Sequence, residues 1–76
     1  MDITTQDFIN EFGRLGATDN YGESGGLWAW EEDGKLIAGD EAFQVAVSAA
    51  DLESLRKLPD GAGWESAWLA LPDLIN

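Results

Sequence analysis

Hydrophobic residues near the start of the chain recur with the period of an α-helix. They form one stripe, which consists of Phe8, Ile9, Phe12 and Leu15. Thr4, with Asp7 three residues later, is a typical N-terminal cap, because the two side chains can satisfy each other's free backbone N–H groups. Gly16 is a typical helix stop. The pattern therefore predicts a helix over residues 5–15.

The hydrophobic period changes to two in the middle of the chain, as in a β-strand. Asp33-Gly34 favours the positive φ angles of a type I′ turn, so we predict a hairpin that joins residues 27–32 to residues 35–38. Its register pairs Glu32 with Lys35 and Trp30 with Ile37. One face then carries Trp28, Trp30 and Ile37, and the other carries Leu27, Ala29, Leu36, Ala38 and the charged Glu31.

The tryptophans of the hairpin are the main candidates for its buried side. A chain of 76 residues needs most of its large aromatic side chains to build a core. We therefore expect Trp28 and Trp30 to face inward, and one of Trp64 and Trp68 to remain partly exposed.

The second half of the chain completes an α+β fold. Phe43, Val45 and Val47 alternate with polar or small residues, which predicts a third, half-buried strand. Ser48 with Asp51 begins a second helix, and Pro59-Asp60-Gly61 ends it. Residues 62–71 fit both a strand and a helix, and we predict a short helix because more positions match the helical stripe. The expected fold is an N-terminal helix, a three-stranded antiparallel meander and one or two short C-terminal helices, in a single domain over residues 1–76.

Charge narrows the class of partner. The chain has 15 acidic residues against four basic ones and no histidine, for a formal net charge of −11. Nucleic acid and anionic membranes repel such a surface, whereas a groove rich in Lys and Arg attracts it within a Debye length of about 8 Å. With no apolar run of the roughly 20 residues that span a bilayer and no signal-peptide pattern, the expected location is the cytoplasm.

Catalytic and metal-binding patterns are weak. There is no His, no Cys and no Gly-x-Ser-x-Gly turn to activate a nucleophile. Glu31, Asp33 and Glu41 offer carboxylates for a glycosidase-type pair, but so short a chain leaves little room for a substrate cleft. The acidic loop at residues 19–23 lacks the alternating ligand spacing of a calcium loop. We therefore predict no enzyme activity, no catalytic residue, no metal site and no cofactor.

The predicted binding residues are acidic side chains gathered at neighbouring turns. They are Glu31, Glu32, Asp33, Asp40 and Glu41, extended by Asp19 and Glu23 on the glycine-rich loop. In a meander the two turns lie at opposite ends of the middle strand, roughly 15–20 Å apart. Carboxylates spread along one side can imitate the regular negative charge of a nucleic-acid backbone.

In size, acidity, aromatic content and lack of cysteine, the whole chain resembles small phage-encoded DNA-mimic inhibitors, such as anti-CRISPR proteins. The likeness is one of composition and carries no diagnostic motif. It implies an inhibitor that occupies the basic groove of a nucleic-acid-binding protein, such as a subunit of a CRISPR effector complex, in the cytoplasm of an infected host. It implies protein partners rather than direct binding of nucleic acid or membrane, and a monomer or weak homodimer.

Two alternatives stay open. The chain could be an interaction module, such as an immunity protein or assembly adaptor, that binds through an apolar patch including Trp64, Trp68 and Leu71. Salt separates this hypothesis from mimicry, because screening weakens charge-driven binding and leaves apolar contacts intact. The acidity could also reflect adaptation to high salt, which predicts poor folding at low ionic strength.

Overall fold

The computed structural model describes residues 3–18, 26–40 and 43–72. Its helices and strands follow the order α1 (Thr5–Leu15), β1 (Trp28–Glu32), β2 (Lys35–Gly39), β3 (Gln44–Ala46), α2 (Ala49–Arg56) and α3 (Trp64–Leu69). The strands form one antiparallel sheet in the order β1-β2-β3. The predicted α+β fold, with its N-terminal helix, meander and two short C-terminal helices, is confirmed.

Helix α1 begins and ends where the sequence predicts. The Thr4 N–H donates to the Asp7 carboxylate at 2.8 Å, and the Asp7 N–H donates to Thr4 Oγ1 at 3.3 Å, so the two residues cap each other. Gly16 closes the helix in the left-handed conformation, at φ 73°. Both ends of α1 are thus fixed by local chemistry.

The hairpin also has the predicted register. Trp30 lies opposite Ile37 and Glu32 lies opposite Lys35. Asp33 and Gly34 take φ angles of 50° and 77°. Positive φ at both central residues is what a type I′ turn requires, and it matches the twist of the flanking strands.

Strand β3 is shorter than the alternation predicts, and Phe43 is not part of its buried side. Phe43 is 59% exposed. Its N–H donates to the Asp40 carboxylate at 2.8 Å and its carbonyl accepts from the Asp40 N–H at 3.0 Å, so residue 43 belongs to a tight turn. This turn passes so close to Gly39 that a Cβ there would collide with the Phe43 carbonyl oxygen. Only from Gln44 onward does the chain pair with β2.

The prediction that Trp28 and Trp30 face the core is wrong. The sheet packs against α1 with its other face, on which Ala29 and Ala38 are buried. Trp28 is 37% exposed and Trp30 is half-buried. The reason is the bulk supplied by α1: the fully buried rings of Phe8 and Phe12, 6.3 Å apart, fill the space over the sheet, so the strands must contribute small side chains.

The C-terminal helices also pack against α1. Leu52 and Leu55 of α2 and Ala67 of α3 are buried in the same core, and both helices contact α1. Residues 62–71 therefore contain a helix rather than a strand, as predicted. No helix in the described part of the chain is long and apolar enough to cross a membrane.

Candidate partner-binding surface

The predicted acidic residues fall into two groups. Glu31, Glu32 and Asp33 are consecutive and exposed at the β1–β2 turn. Asp40 follows the other end of β2, as expected for a meander. Asp19, Glu23 and Glu41 lie outside the described residues. The two groups are held apart by the length of a strand, so the described carboxylates form no single continuous cluster.

The three carboxylates of the hairpin turn have different surroundings. Glu32 shares the outer face of the sheet with Trp30, and its carboxylate accepts a hydrogen bond from the indole Nε1 at 2.9 Å. It makes this bond rather than an ion pair with Lys35 opposite, which pairs with no carboxylate among the described residues. The carboxylates of Glu31 and Asp33 have no hydrogen bond or ion pair within the described part of the chain.

Asp40 differs from the hairpin carboxylates because it shapes the backbone. It is half-buried, and its side chain holds the N–H of Phe43 in the turn that leads into β3. A carboxylate engaged in this way cannot turn toward a partner without releasing that turn. We therefore assign Asp40 a structural role rather than a place in a binding surface.

Most of the basic residues are gathered at one corner of the molecule, far along the chain from the hairpin. This cationic corner consists of Arg14 in α1 and Arg56 and Lys57 at the end of α2. Arg56 lies 3.8 Å from the Glu11 carboxylate and 3.4 Å from that of Glu53. The guanidinium groups are thus used within the protein.

Arg14 is the most heavily bonded of them. It donates to Glu11 at 2.8 Å and to Asp60 at 2.6 Å. It also donates to the carbonyl oxygens of Leu55 and Leu58, at 3.0 and 2.9 Å, where α2 ends. The hydrogen bonds that Arg14 donates to Asp60 and Glu11 raise the pKa of Arg14 above its ordinary value. The corner therefore fastens α1 to the segment that follows α2.

This arrangement separates charge across the molecule. Three of the four basic residues lie at the corner, where Glu11, Glu53 and Asp60 offset them. The hairpin turn holds three carboxylates and one basic residue, Lys35. The corner is therefore close to neutral, so the net charge of −11 lies elsewhere on the molecule, and the hairpin turn holds three of the carboxylates that carry it.

A shallow depression beside the turn does not provide a catalytic pair. Open to solvent and about 560 Å3 in volume, it is lined by Glu31, Lys35, Leu36, Val47 and Ser48 among others. Glu31 is the only carboxylate in that lining, whereas glycosidase chemistry needs two. Among residues 3–18, 26–40 and 43–72, no group of three or more metal-ligating side chains could hold an ion.

The apolar residues exposed near the C-terminus differ from those that the alternative hypothesis names. Leu71 is only 7% exposed and belongs to the core, while its near neighbour Leu69 is 83% exposed. Trp64 is exposed and Trp68 is half-buried, so one member of this pair does remain accessible, as expected. The exposed apolar side chains of α3, called the α3 patch below, are therefore Trp64 and Leu69, while Trp68 packs against the core.

The sequence places Trp28, Trp30 and Ile37 on one face of the hairpin, but the outward direction of this face and the presence of Glu32 on it were not predicted. The spacing of Trp30 and Glu32, two residues apart on one strand, was the available signal for a shared face. Compared with protein-family models, curated proteins and solved structures, the chain matches none. Only the chemistry of its own surface bears on its function.

Proposed function

We propose that this protein is an inhibitor that binds a basic nucleic-acid-binding protein and occupies the groove meant for nucleic acid. The observation that supports the proposal is the separation of charge. Arg14 and Arg56 are consumed by intramolecular pairs, whereas Glu31 and Asp33 have no cationic partner within the described residues. Carboxylates without a partner can be neutralised by Lys and Arg of another protein at no loss to the fold.

Long-range attraction favours the same class of partner. A net charge of −11 attracts the protein to a basic groove and raises the rate of association. The compositional likeness to anti-CRISPR proteins makes a CRISPR effector subunit the candidate target, met in the cytoplasm of the host. In this role the protein acts as a monomer or weak homodimer and carries no cofactor.

A salt-graded pull-down tests the proposal. The tagged protein is exposed to lysate of a bacterium that carries a CRISPR system, washed at low and then high salt, and the captured proteins are identified by mass spectrometry. We expect a nucleic-acid-binding effector to be captured at low salt and released at high salt. The purified effector should then lose its target DNA as the inhibitor is added. Capture that withstands high salt, or an effector that keeps its DNA, would contradict mimicry.

Matched variants locate the charge that matters. Glu31→Gln with Asp33→Asn removes two hairpin charges, and Glu53→Gln with Glu65→Gln removes two charges from α2 and α3. At up to about 1 kcal/mol per exposed pair, the hairpin variant should bind the effector roughly tenfold more weakly. The helix variant should change affinity far less. Equal losses would mean that net charge, rather than the hairpin, drives binding.

A second candidate function rests on the exposure of Leu69 and Trp64. An interaction module that uses the α3 patch would bury these side chains against an apolar partner, and its affinity would hold or rise with salt. Leu69→Ser should then abolish capture while the hairpin variant has no effect. Circular dichroism at low ionic strength addresses adaptation to high salt, because only that hypothesis expects the domain to unfold there.

A further inference from the structure

The outer face of the hairpin carries aromatic side chains next to unbalanced negative charge. Trp28 and Trp30 alternate with the buried Ala29 and so project from the same side of β1, opposite Gly39 and Ile37 of β2. Side chains two apart along a strand are separated by roughly 7 Å. Because α1 packs on the other side of the sheet, part of this face meets solvent, and Trp28 is 37% exposed.

We infer that this face binds arginine side chains of the partner, with a guanidinium lying over the Trp30 indole and bonded to the Glu32 carboxylate. The inference rests on the proposed function and specifies which basic group the hairpin selects. The indole ring attracts a cation over its face, and a planar guanidinium stacks there with a larger contact than an ammonium. Lysine satisfies the charge but not the stacking.

The hydrogen bond between Trp30 and Glu32 prepares the site. The indole Nε1 holds the Glu32 carboxylate at 2.9 Å, at the edge of the ring. A carboxylate accepts more than one hydrogen bond, so the fixed group keeps acceptor capacity for a guanidinium. Since Glu32 is exposed and lies in no ion pair with another described residue, an incoming arginine displaces no cation from it.

Charge decides the kind of occupant. A second copy of this chain would bring two net charges of −11 together and would set Glu32 and Asp33 against their own counterparts. Lys35 is the only cation in the described hairpin that could relieve this repulsion. A segment that carries arginine is complementary in sign and in shape to the same face.

Two peptides of equal length and charge provide the test, one with arginine and one with lysine at every basic position. Titration calorimetry with the full chain at low salt should show tighter binding of the arginine peptide, by about fivefold for one cation–π contact. Trp30→Leu should remove that preference and leave the lysine affinity unchanged. Trp64→Leu, a matched change of an exposed tryptophan on α3, should leave the preference intact.

The outcomes separate this inference from the proposed function. Equal affinity for both peptides, or a preference that survives Trp30→Leu, overturns the arginine site and leaves charge-driven binding standing. Binding of neither peptide overturns both. If Trp30→Leu unfolds the domain by circular dichroism, Glu32→Gln replaces it, because this change keeps the indole and should still reduce the arginine preference. Sedimentation that shows a dimer through this face would identify a second copy as the occupant and overturn the inference.

Discussion

The two faces of the sheet are built from opposite kinds of side chain. On the face toward α1, the central positions Ala29 and Ala38 are small and buried. On the outer face, the neighbouring positions of β1 hold Trp28 and Trp30. The largest side chains of the hairpin are thus on the side that meets solvent, while the helix supplies the bulk of the core through Phe8 and Phe12.

Packed layers share the volume of one core. A core fills to near-crystalline density, so bulk on one element requires small residues on the element it meets. Two phenylalanine rings on α1 leave space for alanine, and no space for indole, at the centre of the sheet. Tryptophans placed outside such a core need another explanation, and binding supplies one.

Removing a large side chain from the core face should have the largest effect on stability. Phe12→Ala should destabilise the domain by about 3–5 kcal/mol, because a fully buried ring leaves a cavity beneath the sheet. Trp30→Ala removes a larger side chain but should cost less, about 2 kcal/mol, since that side chain is only partly buried. Urea denaturation followed by circular dichroism measures both. A larger loss for Trp30→Ala would mean that the outer face belongs to the core.

Enlarging a side chain on each face of the sheet should reduce the stability of the domain by unequal amounts. Ala38→Leu puts a large side chain under α1 and should cost about 1–3 kcal/mol through overpacking. Ala46→Leu makes the same change on the exposed side of β3, next to Ile37, and should stay within about 0.5 kcal/mol. Urea midpoints that shift equally would show that the two faces are not packed differently.

Replacing the arginines of the cationic corner should lower the stability of the domain by smaller amounts than the core substitutions do. Arg14→Met removes the donor to two carbonyl oxygens and two carboxylates, so it should lower the midpoint of thermal unfolding. Arg56→Met, which removes only two longer ion pairs from an exposed side chain, should lower it less. A larger effect from Arg56→Met would show that Arg56, and not Arg14, is the residue that fastens α1 to the segment after α2.

Local chemistry explains why so much of the fold could be predicted. The cap formed by Thr4 and Asp7, the stop at Gly16 and the Asp33-Gly34 turn each depend on residues a few positions apart. Once the turn is fixed, the register follows, and with it the division of the hairpin into two faces. The same logic placed Glu31, Glu32 and Asp33 together at the turn.

Which face is inside could not be predicted from the hairpin alone. Alternation defines two faces but does not show which of them is buried. Side-chain size favoured the face that carries Trp28 and Trp30. The choice depends on Phe8 and Phe12, which come from a distant part of the chain and meet the sheet only in three dimensions. The exposure of Phe43 was hidden for a similar reason, because the turn at Asp40 moves it out of the strand. The partner-binding role of the acidic residues stays a prediction.

Two substitutions with small expected effects distinguish the role of the hairpin turn in folding from the role of its charge in binding. Gly34→Ala should cost about 1 kcal/mol, because a residue with a Cβ is strained at φ 77°. Asp33→Asn should change stability by no more than a few tenths of a kcal/mol, since asparagine suits the positive φ of 50° at least as well as aspartate. Urea midpoints measure both. If Asp33→Asn nevertheless weakens binding to a basic partner, the loss comes from the charge, because the backbone of the turn is unchanged. Instability of Asp33→Asn would instead show that the carboxylate supports the fold, and the loss of binding by the hairpin double variant would no longer bear on mimicry.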